Sequence, residues 1–597
     1  MTKLWTIRPP SPDAGPLSQA LGIPLLVAQV LANRRLADPD AARAFLKPEL
    51  TQLHDPSALP ALVAAADRLV AAARAKERIV VYGDYDADGI TGTAILWAAL
   101  RLADANVDTY VPHRVEEGYG LNLEAVERLA AEGCRVLVTV DCGITSVAEV
   151  ARARELGMDV IVTDHHEPSP DRIPNANVVA NAKLADSPYP FRDLSGAGLA
   201  FKLAWAIGQK LSPSTRVSKP FRDFLVAATG LAALGTIADV VPLVGENHVL
   251  ASFGLAALAA SRHPGIRAIV EVAGLTDQER LDAEHVGFMI APRLNAVGRL
   301  GHAREAVELL TTAGPEAALA IARELDSLNR KRQEVEKEIL AEAEKALVAQ
   351  ADLRRDTAIV LSVPGWHTGV IGIVASRLVE RYYRPTILIA TAEGRAQGSG
   401  RSIAGFHLFD ALSACKAHLT TFGGHQMAAG LRMEESNVPA FREAFLAHAA
   451  GVLKPEDLSP KLTVDAEVRL ADLSLETARA FARMGPFGAG NPAPVLASKE
   501  LHFASAPRRI GQQGQHLSMQ FTEAGRSIRA VAWRMGPMEE PLRRAGSCGA
   551  AFTCHISNFR REPEVEVQIK DLWVGKYGSK APGELAEGAP APGEPGP

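Results

Sequence analysis

At 597 residues with 47% apolar side chains, the chain has material for about four folded domains and is no disordered polymer. A formal net charge of −5 excludes attraction to nucleic acid through bulk charge, so such a partner would have to be met by local basic clusters or through bound cations. Five cysteines, odd in number, dispersed and without a CxxC pair, argue against a disulfide framework or a zinc knuckle and fit a reducing cytoplasm.

Met1 to Gly15 carries prolines and charges where a secretory signal needs an apolar core, and residues 1–55 read as an N-terminal arm packed on the domain next in the chain. From Ile79 onward short β-branched runs recur at Ile79 to Tyr82, Val107 to Val111, Val136 to Val140, Val160 to Thr163 and Val178 to Ala180. Amphipathic stretches such as Ile90 to Leu102, Leu123 to Ala131 and Ser146 to Leu156 separate most of them. This alternation predicts an α/β domain over 56–313 with a parallel sheet and right-handed crossovers. The most apolar window, Phe224 to Val244, is interrupted by Thr229, Gly230, Asp239 and Pro242. It reads as a buried helix ending in a functional loop, and no membrane association is expected.

Residues 314–351, rich in Ala, Glu, Arg and Lys at helical spacing, predict a long linker helix whose Arg330-Lys331-Arg332 is read as a solvated face. A second, smaller α/β domain follows over 352–455, with strands near Thr357 to Val363 and Thr386 to Thr391 and glycine-rich turns at Gly398 to Ser402 and Gly423 to His425. Between 456 and 576, alternating runs at Leu462 to Val468, His516 to Phe521, Ile528 to Trp533, Ala550 to Ile556 and Val565 to Val574 suit a small β-barrel of the oligonucleotide-binding type. Arg508, Arg509, Arg526, Arg529 and Arg534 recur near those runs, where they could track a phosphate backbone. Residues 577–597, mostly Gly, Pro, Ala and Glu, read as a disordered tail.

Acidic and imidazole groups gather where the first domain's apolar runs end. They are Asp84-Tyr85-Asp86-Ala87-Asp88-Gly89, then Asp141, then Asp164-His165-His166, then Asp239. The first matches the start of a calcium-binding EF-hand loop, but its twelfth position is Ile95 where a Glu is needed, and a strand precedes it. A helix-capping turn accounts for one of its aspartates and leaves two unexplained. So many carboxylates at the ends of buried elements would raise one another's pKa unless cations lay among them. Carboxylates with one or two imidazoles favour manganese or magnesium, manganese foremost, over thiolate-seeking zinc. Two such ions can generate a hydroxide near neutral pH and stabilise an in-line displacement at phosphorus, which is phosphoester hydrolysis.

These four motifs, in this order, resemble the DHH phosphoesterase superfamily. Gly365-Trp366-His367 with Gly369 to Arg377, Ser399-Gly400-Arg401-Ser402 and Gly423-Gly424-His425 resemble its associated substrate-binding domain, DHHA1. The stretches Arg293 to Arg299 and Gly485 to Pro492, with the added barrel, narrow the resemblance to the superfamily's single-strand-specific 5′ to 3′ DNA exonucleases, over about residues 5–575. The resemblance implies that Asp86, Asp88, Asp141, His165 and Asp239 bind metal, Asp141 as the bridge. It implies that Asp84 and Asp164 orient those ligands and that His166 lies beside the scissile phosphate. Some relatives carry a His at the position of Tyr82, which would leave one ion site the weaker. For the 5′ phosphate it implies Arg114, Arg293, Ser399, Gly400 and Arg401, with Asn295, Arg299, Gly423, Gly424 and His425 nearby. His367 and His407 are expected to be satisfied structurally. The implied partners are single-stranded DNA and, in recombination and repair, a single-strand-binding protein and a helicase. Two rivals stay open: another phosphoesterase of the superfamily, acting on pyrophosphate, oligoribonucleotides or cyclic dinucleotides, and a catalytically silent single-strand-binding scaffold.

Overall fold

The computed structural model describes residues 3–578 except 115–116, 214–215 and 558–561; from residue 579 the expected tail lies outside the described residues. The chain opens with β1 (Leu4–Ile7) and three short helices, α1 (Ala14–Leu21), α2 (Leu25–Asn33) and α3 (Pro39–Leu46). The first α/β unit then runs α4 (Pro60–Ala75), β2 (Arg78–Gly83), α5 (Ala87–Leu102), β3 (Asn106–Tyr110), α6 (Leu123–Ala131), β4 (Val136–Val140), α7 (Val147–Glu155), β5 (Asp159–Thr163) and β6 (Val178–Ala180). The strands form one parallel sheet in the order β3-β2-β4-β5-β6. Both faces are covered, which is why the strand sequences are continuous apolar runs and do not alternate. Ile79, Val81, Val136, Val138 and Ile161 join the core shared with α4 and α5, while Val80, Tyr82, Leu137, Val160 and Val162 face α6 and α7.

A helical layer follows: α8 (Gly196–Lys210), α9 (Lys219–Ala238), α10 (Gly245–Ala259), α11 (Pro264–Val272), α12 (Ala291–Leu300) and α13 (Arg304–Thr311). By length and composition α9 alone could cross a membrane, yet it packs against α5, α8 and α10 and ends at Asp239. Lys202 and Glu246, both fully buried, form an ion pair between α8 and α10, and Tyr189 Oη donates to the other Glu246 oxygen at 2.6 Å.

The linker helix α14 (Pro315–Gln350) leads to β7 (Ile359–Pro364), α15 (Thr368–Tyr382), β8 (Thr386–Ala392), β9 (Arg395–Arg401), α16 (Leu408–Ala414), β10 (Thr421–Gly424), β11 (Ala428–Glu434) and α17 (Val438–Val452). Their mixed sheet has the order β10-β11-β9-β8-β7. The segments read as glycine-rich turns are therefore strands, β9 and β10. Arg332 is not part of a solvated face either: it is 9% exposed and paired with Glu336 at 2.5 Å.

The last unit comprises β12 (Lys461–Val464), β13 (Ala466–Glu467), α18 (Leu475–Ala482), β14 (Leu496–Ile510), β15 (His516–Glu523), β16 (Arg526–Ala532), α19 (Glu539–Ala545), β17 (Ser547–Ser557) and β18 (Glu564–Val574). Pairing of β14 with both β15 and β17 closes a five-stranded barrel. The N-terminal arm packs chiefly on this barrel, a correction to its expected place. β1 pairs with β12, Leu17, Leu31 and Leu46 enter the barrel core, and Trp5 stacks on Tyr577 with ring centroids 4.1 Å apart. Among the barrel arginines, Arg509 pairs with Glu539, Arg529 with Glu566, and Arg526 donates to the Leu473 carbonyl.

Removing one member of a buried ion pair strands the other charge. Lys202→Met is expected to cost about 3–5 kcal/mol of stability, and pairing it with Glu246→Leu to cost clearly less. Denaturant melts of the two variants check this, and equal destabilisation would contradict it.

Candidate active site

Three adjacent strands set the first three acids in a row. The sheet ladder runs one residue past β2, β4 and β5: Asp84 N donates to Val140 O, Asp141 N to Thr163 O and Asp164 N to Ala180 O, each at 3.2 Å. Asp84, Asp141 and Asp164 thus stand side by side at the carboxyl edge of the sheet, where open α/β sheets place their ligands. Asp86 caps α5, its Oδ1 accepting from the backbone N–H groups of Asp88 (3.0 Å) and Gly89 (3.1 Å). Asp88, one turn in, accepts from Gly196 N at 2.6 Å and Ala197 N at 2.9 Å at the start of α8. Asp239 comes from the opposite side as the residue closing α9. A Cβ on Gly196 would lie 2.6 Å from the Asp141 Cβ, so only glycine lets α8 approach this closely.

Three overlapping groups each bring their candidate ligand atoms within 4.8 Å of one another: Asp84, Asp86 and Asp141; Asp88, His165 and Asp239; and Asp141, His165 and His166. Asp141 belongs to two groups, and its own backbone sits in the left-handed region at φ 64°. His165 Nε2 lies 3.0 Å from Asp141 Oδ1, 3.4 Å from Asp239 Oδ2 and 3.8 Å from Asp88 Oδ2. Burial holds the His165 imidazole neutral, its pKa lowered to about 3, with His166 adding to the effect. A neutral imidazole is the form that ligates metal. Burial and then neighbouring carboxylates push the acids the other way. Asp88 rises to about 7 and Asp239 to about 9, while Asp84 and Asp141 go well above the carboxylate range. Asp84 Oδ1, Asp141 Oδ1 and His165 Nε2 are buried without a hydrogen-bond partner. Orphaned oxygens and a neutral imidazole nitrogen directed at one another are a donor set for hard divalent cations.

Asp164 has no oxygen to spare. Oδ1 accepts from His165 N (2.7 Å), His166 N (3.1 Å) and His166 Nδ1 (2.8 Å), and Oδ2 accepts from Ile144 N (2.9 Å). Burial opposes a charged His166, but the Asp164 hydrogen bond outweighs it and raises the imidazole's pKa. Asp84, assigned an orienting role from the resemblance, stands inside a candidate ligand group. Tyr82 stands outside the cluster: its Oη donates to Gly120 O at 3.0 Å beneath the sheet.

Beside the acids a cavity of about 300 Å³ is lined by Asp84, Asp86, Tyr85, Arg114, Asn295 and Arg299. The Arg114 guanidinium lies over the Tyr85 ring, 4.8 Å from its centroid. Burial, then Arg114 and Arg401, lower Arg299 to about 10, and burial and Arg114 lower Arg401. The three guanidiniums therefore repel one another across the junction of the two α/β units. Arg401 is steered by Ser399 Oγ (3.1 Å) and the Gly400 carbonyl (2.8 Å), and Asn295 Oδ1 accepts from Ala87 N at 2.7 Å. His425 faces the cleft as well, its pKa lowered by burial and then by His166.

Not every residue taken from the motifs comes here. Arg293 is held elsewhere, by Asp326 at 2.8 Å and the Met289 carbonyl. Gly400 turns into the small-domain core, where a Cβ would meet Leu408 at 2.9 Å. Gly423 and Gly424 are strand residues of β10, paired with Gly430 and Ala429. His367 and His407 cap α15 and α16. Sequence reasoning missed Tyr119, whose Oη lies 3.1 Å from His166 Nδ1 and donates to the Asp141 carbonyl at 3.2 Å. Its only trace in the sequence is a pair of flanking glycines, Gly118 and Gly120, both with positive φ.

Comparison with known proteins places these features in a family. Residues 78–229 match the DHH family N-terminal domain, 355–450 the DHHA1 domain and 464–571 the RecJ OB domain. The single-stranded-DNA-specific exonuclease RecJ of Bacillus subtilis (strain 168) is 37% identical over 96% of this chain and 71% of that protein. The crystal structure of RecJ in complex with Mn2+ from Thermus thermophilus superposes with a TM-score of 0.81 at 34% identity, covering 95% of this chain and 79% of that one. The Mg2+ complex of RecJ from the same organism gives a TM-score of 0.76 at 31% identity, covering 96% and 78%. This chain belongs to the RecJ family of DHH phosphoesterases.

Proposed function

We propose that this chain is a divalent-cation-dependent exonuclease that degrades single-stranded DNA from its 5′ end and releases mononucleotides. The observation that carries the reading is the shared wall between two opposed sites: Asp84 and Asp86 line the arginine cavity and also belong to the acidic cluster. A terminal phosphate seated among Arg114, Arg299 and Arg401 leaves the next phosphodiester within reach of the acids, which is exonuclease geometry. Asp86, Asp88, Asp141, His165 and Asp239, with Asp84, are the groups that would hold Mn2+ or Mg2+. Such ions supply an activated water and neutralise charge on the phosphate. His166, charged through Asp164 and fixed by Tyr119, keeps Nε2 for a phosphate oxygen and can protonate the leaving oxygen there. Selectivity for one strand follows from a cleft between the two α/β units too narrow for a duplex. Cytoplasmic work beside a single-strand-binding protein and a helicase in recombination and repair belongs to the same proposal, supported by the family resemblance.

A 5′-phosphorylated, 3′-labelled oligonucleotide with Mn2+ is expected to lose single nucleotides from its 5′ end, and a ladder of internal cuts would contradict the reading. Asp141→Ala should leave the fold intact by circular dichroism and reduce turnover by at least about 10³-fold, since it removes a group from both candidate sites. Arg401→Ala should raise KM on 5′-phosphorylated strands by roughly tenfold or more and change it far less on 5′-hydroxyl strands.

Asp88 and Asp239 rise from the ordinary 3.8 to about 7 and about 9. With folded pKa values above unfolded ones, their contribution to stability is fully present below pH 3.8 and is lost as pH rises through about 7 and then about 9. Cation binding must displace these protons, so Mn2+ affinity should climb between pH 6 and 9 with proton release that declines over the same range. Calorimetry in buffers of different ionisation enthalpy reads this directly. Binding without proton release at pH 7 would contradict the assignment.

A further inference from the structure

The stretch Gly485 to Pro492 touches the one acid of the cluster that is delivered from a helix end. Asp239 closes α9, its side chain is 24% exposed, and the next residue, Val240, is in the left-handed region at φ 62° and 69% exposed. A β-branched residue resists that conformation, so the turn needs an outside hold. The hold comes from the barrel unit. Leu243 N donates to Ala489 O at 2.7 Å, and Cβ atoms built on Gly488 and Gly490 would lie 2.8 Å from Leu243 Cδ1 and 2.8 Å from Pro242 Cβ.

The gripping loop is itself stiffened. Gly488 and Asn491 exchange backbone hydrogen bonds at 2.9 and 3.2 Å, and Asn491 Nδ2 donates to the carbonyls of Met484 (2.9 Å) and Pro486 (3.0 Å). From the N-terminal arm, an Arg34 terminal guanidinium nitrogen donates to Asn491 Oδ1 (3.2 Å) and the Pro492 carbonyl (2.7 Å). The other two nitrogens hold Asp465 at 3.2 and 2.8 Å.

We propose that the loop Gly485 to Pro492 is a clamp that fixes the Asp239 turn, so that the cation held by Asp88, His165 and Asp239 depends on docking of the barrel and N-terminal arm. The residues of the loop are positioning residues, acting through Asp239. The inference rests on the two-cation reading of the site and adds to it that one ion position is controlled from another domain.

The test is a Mn2+ titration of the full-length protein followed by electron paramagnetic resonance. Asn491→Ala loosens the loop without touching the turn, and Gly490→Val drives a side chain into Pro242. Each is expected to keep one ion at wild-type affinity, to weaken the other by about tenfold or more, and to lower kcat with KM for single-stranded DNA within about twofold. Adding Val240→Gly, which accepts the left-handed turn unaided, should recover part of the lost affinity in the Asn491→Ala background. If Gly490→Val does not fold, Asn491→Ala with its rescue decides alone. A folded Asn491→Ala protein that binds two ions as tightly as wild type overturns the clamp and leaves the two-cation reading standing. A wild-type protein that binds no Mn2+ overturns both.

Discussion

Mutual repulsion of buried carboxylates is the constraint around which this molecule is organised. Two unit charges 4 Å apart in a medium of effective dielectric near 20 interact by about 4 kcal/mol, and the cluster holds several such pairs. A backbone hydrogen bond to a charged group returns about 1.5–3 kcal/mol. Asp88 receives two such bonds from the start of α8 and Asp86 two from its own helix, whereas Asp84 Oδ1 and Asp141 Oδ1 receive none. Local hydrogen bonding therefore cannot settle the cluster, and protons or cations must. The supporting architecture follows from that need: a sheet edge that lines up three acids, a glycine that lets α8 come close, and an Asp164 that fixes both histidines.

The opposite problem lies a few ångströms away, where Arg114, Arg299 and Arg401 crowd together in a partly desolvated cavity. Each half is unfavourable alone, and a phosphodiester chain bridging cations to guanidiniums relieves both. The halves belong to different units, because Ser399, Arg401 and His425 come from the small domain while the acids come from the large one. Arg299 reaches across the junction to the Gly369 carbonyl at 2.7 Å, at the first turn of α15. Substrate recognition is thus tied to the relative placement of the two units that α14 connects.

Much of this was legible in the primary structure. The runs Ile79 to Tyr82, Val136 to Val140 and Val160 to Thr163 are β2, β4 and β5 to within a residue, because strands buried on both faces need uninterrupted apolar runs. The acids at their ends were equally visible, since a parallel sheet dictates which end carries chemistry. The barrel's longest strand escaped notice. β14 contains Lys499, Glu500, Pro507 and two arginines, and register breaks at Phe503/Ser505 and Ser505/Arg508 destroy the alternation that marks a strand. The glycines of β9 and β10 were misread as turns for a related reason: without side chains, a strand and a turn look alike until pairing partners are known.

The chemistry of this protein is written in its primary structure, because the identity and order of carboxylates, imidazoles and arginines need no coordinates to be read. Folding in three dimensions settles which of those groups meet. Arg293 and Arg299 share a helix, yet one is spent on Asp326 and the other faces the cavity. Trp5 lies on Tyr577 across almost the whole chain, and the Asp239 turn is gripped by a loop some 250 residues later. Such choices depend on side-chain packing between distant segments, and packing leaves no periodic signature in a single sequence.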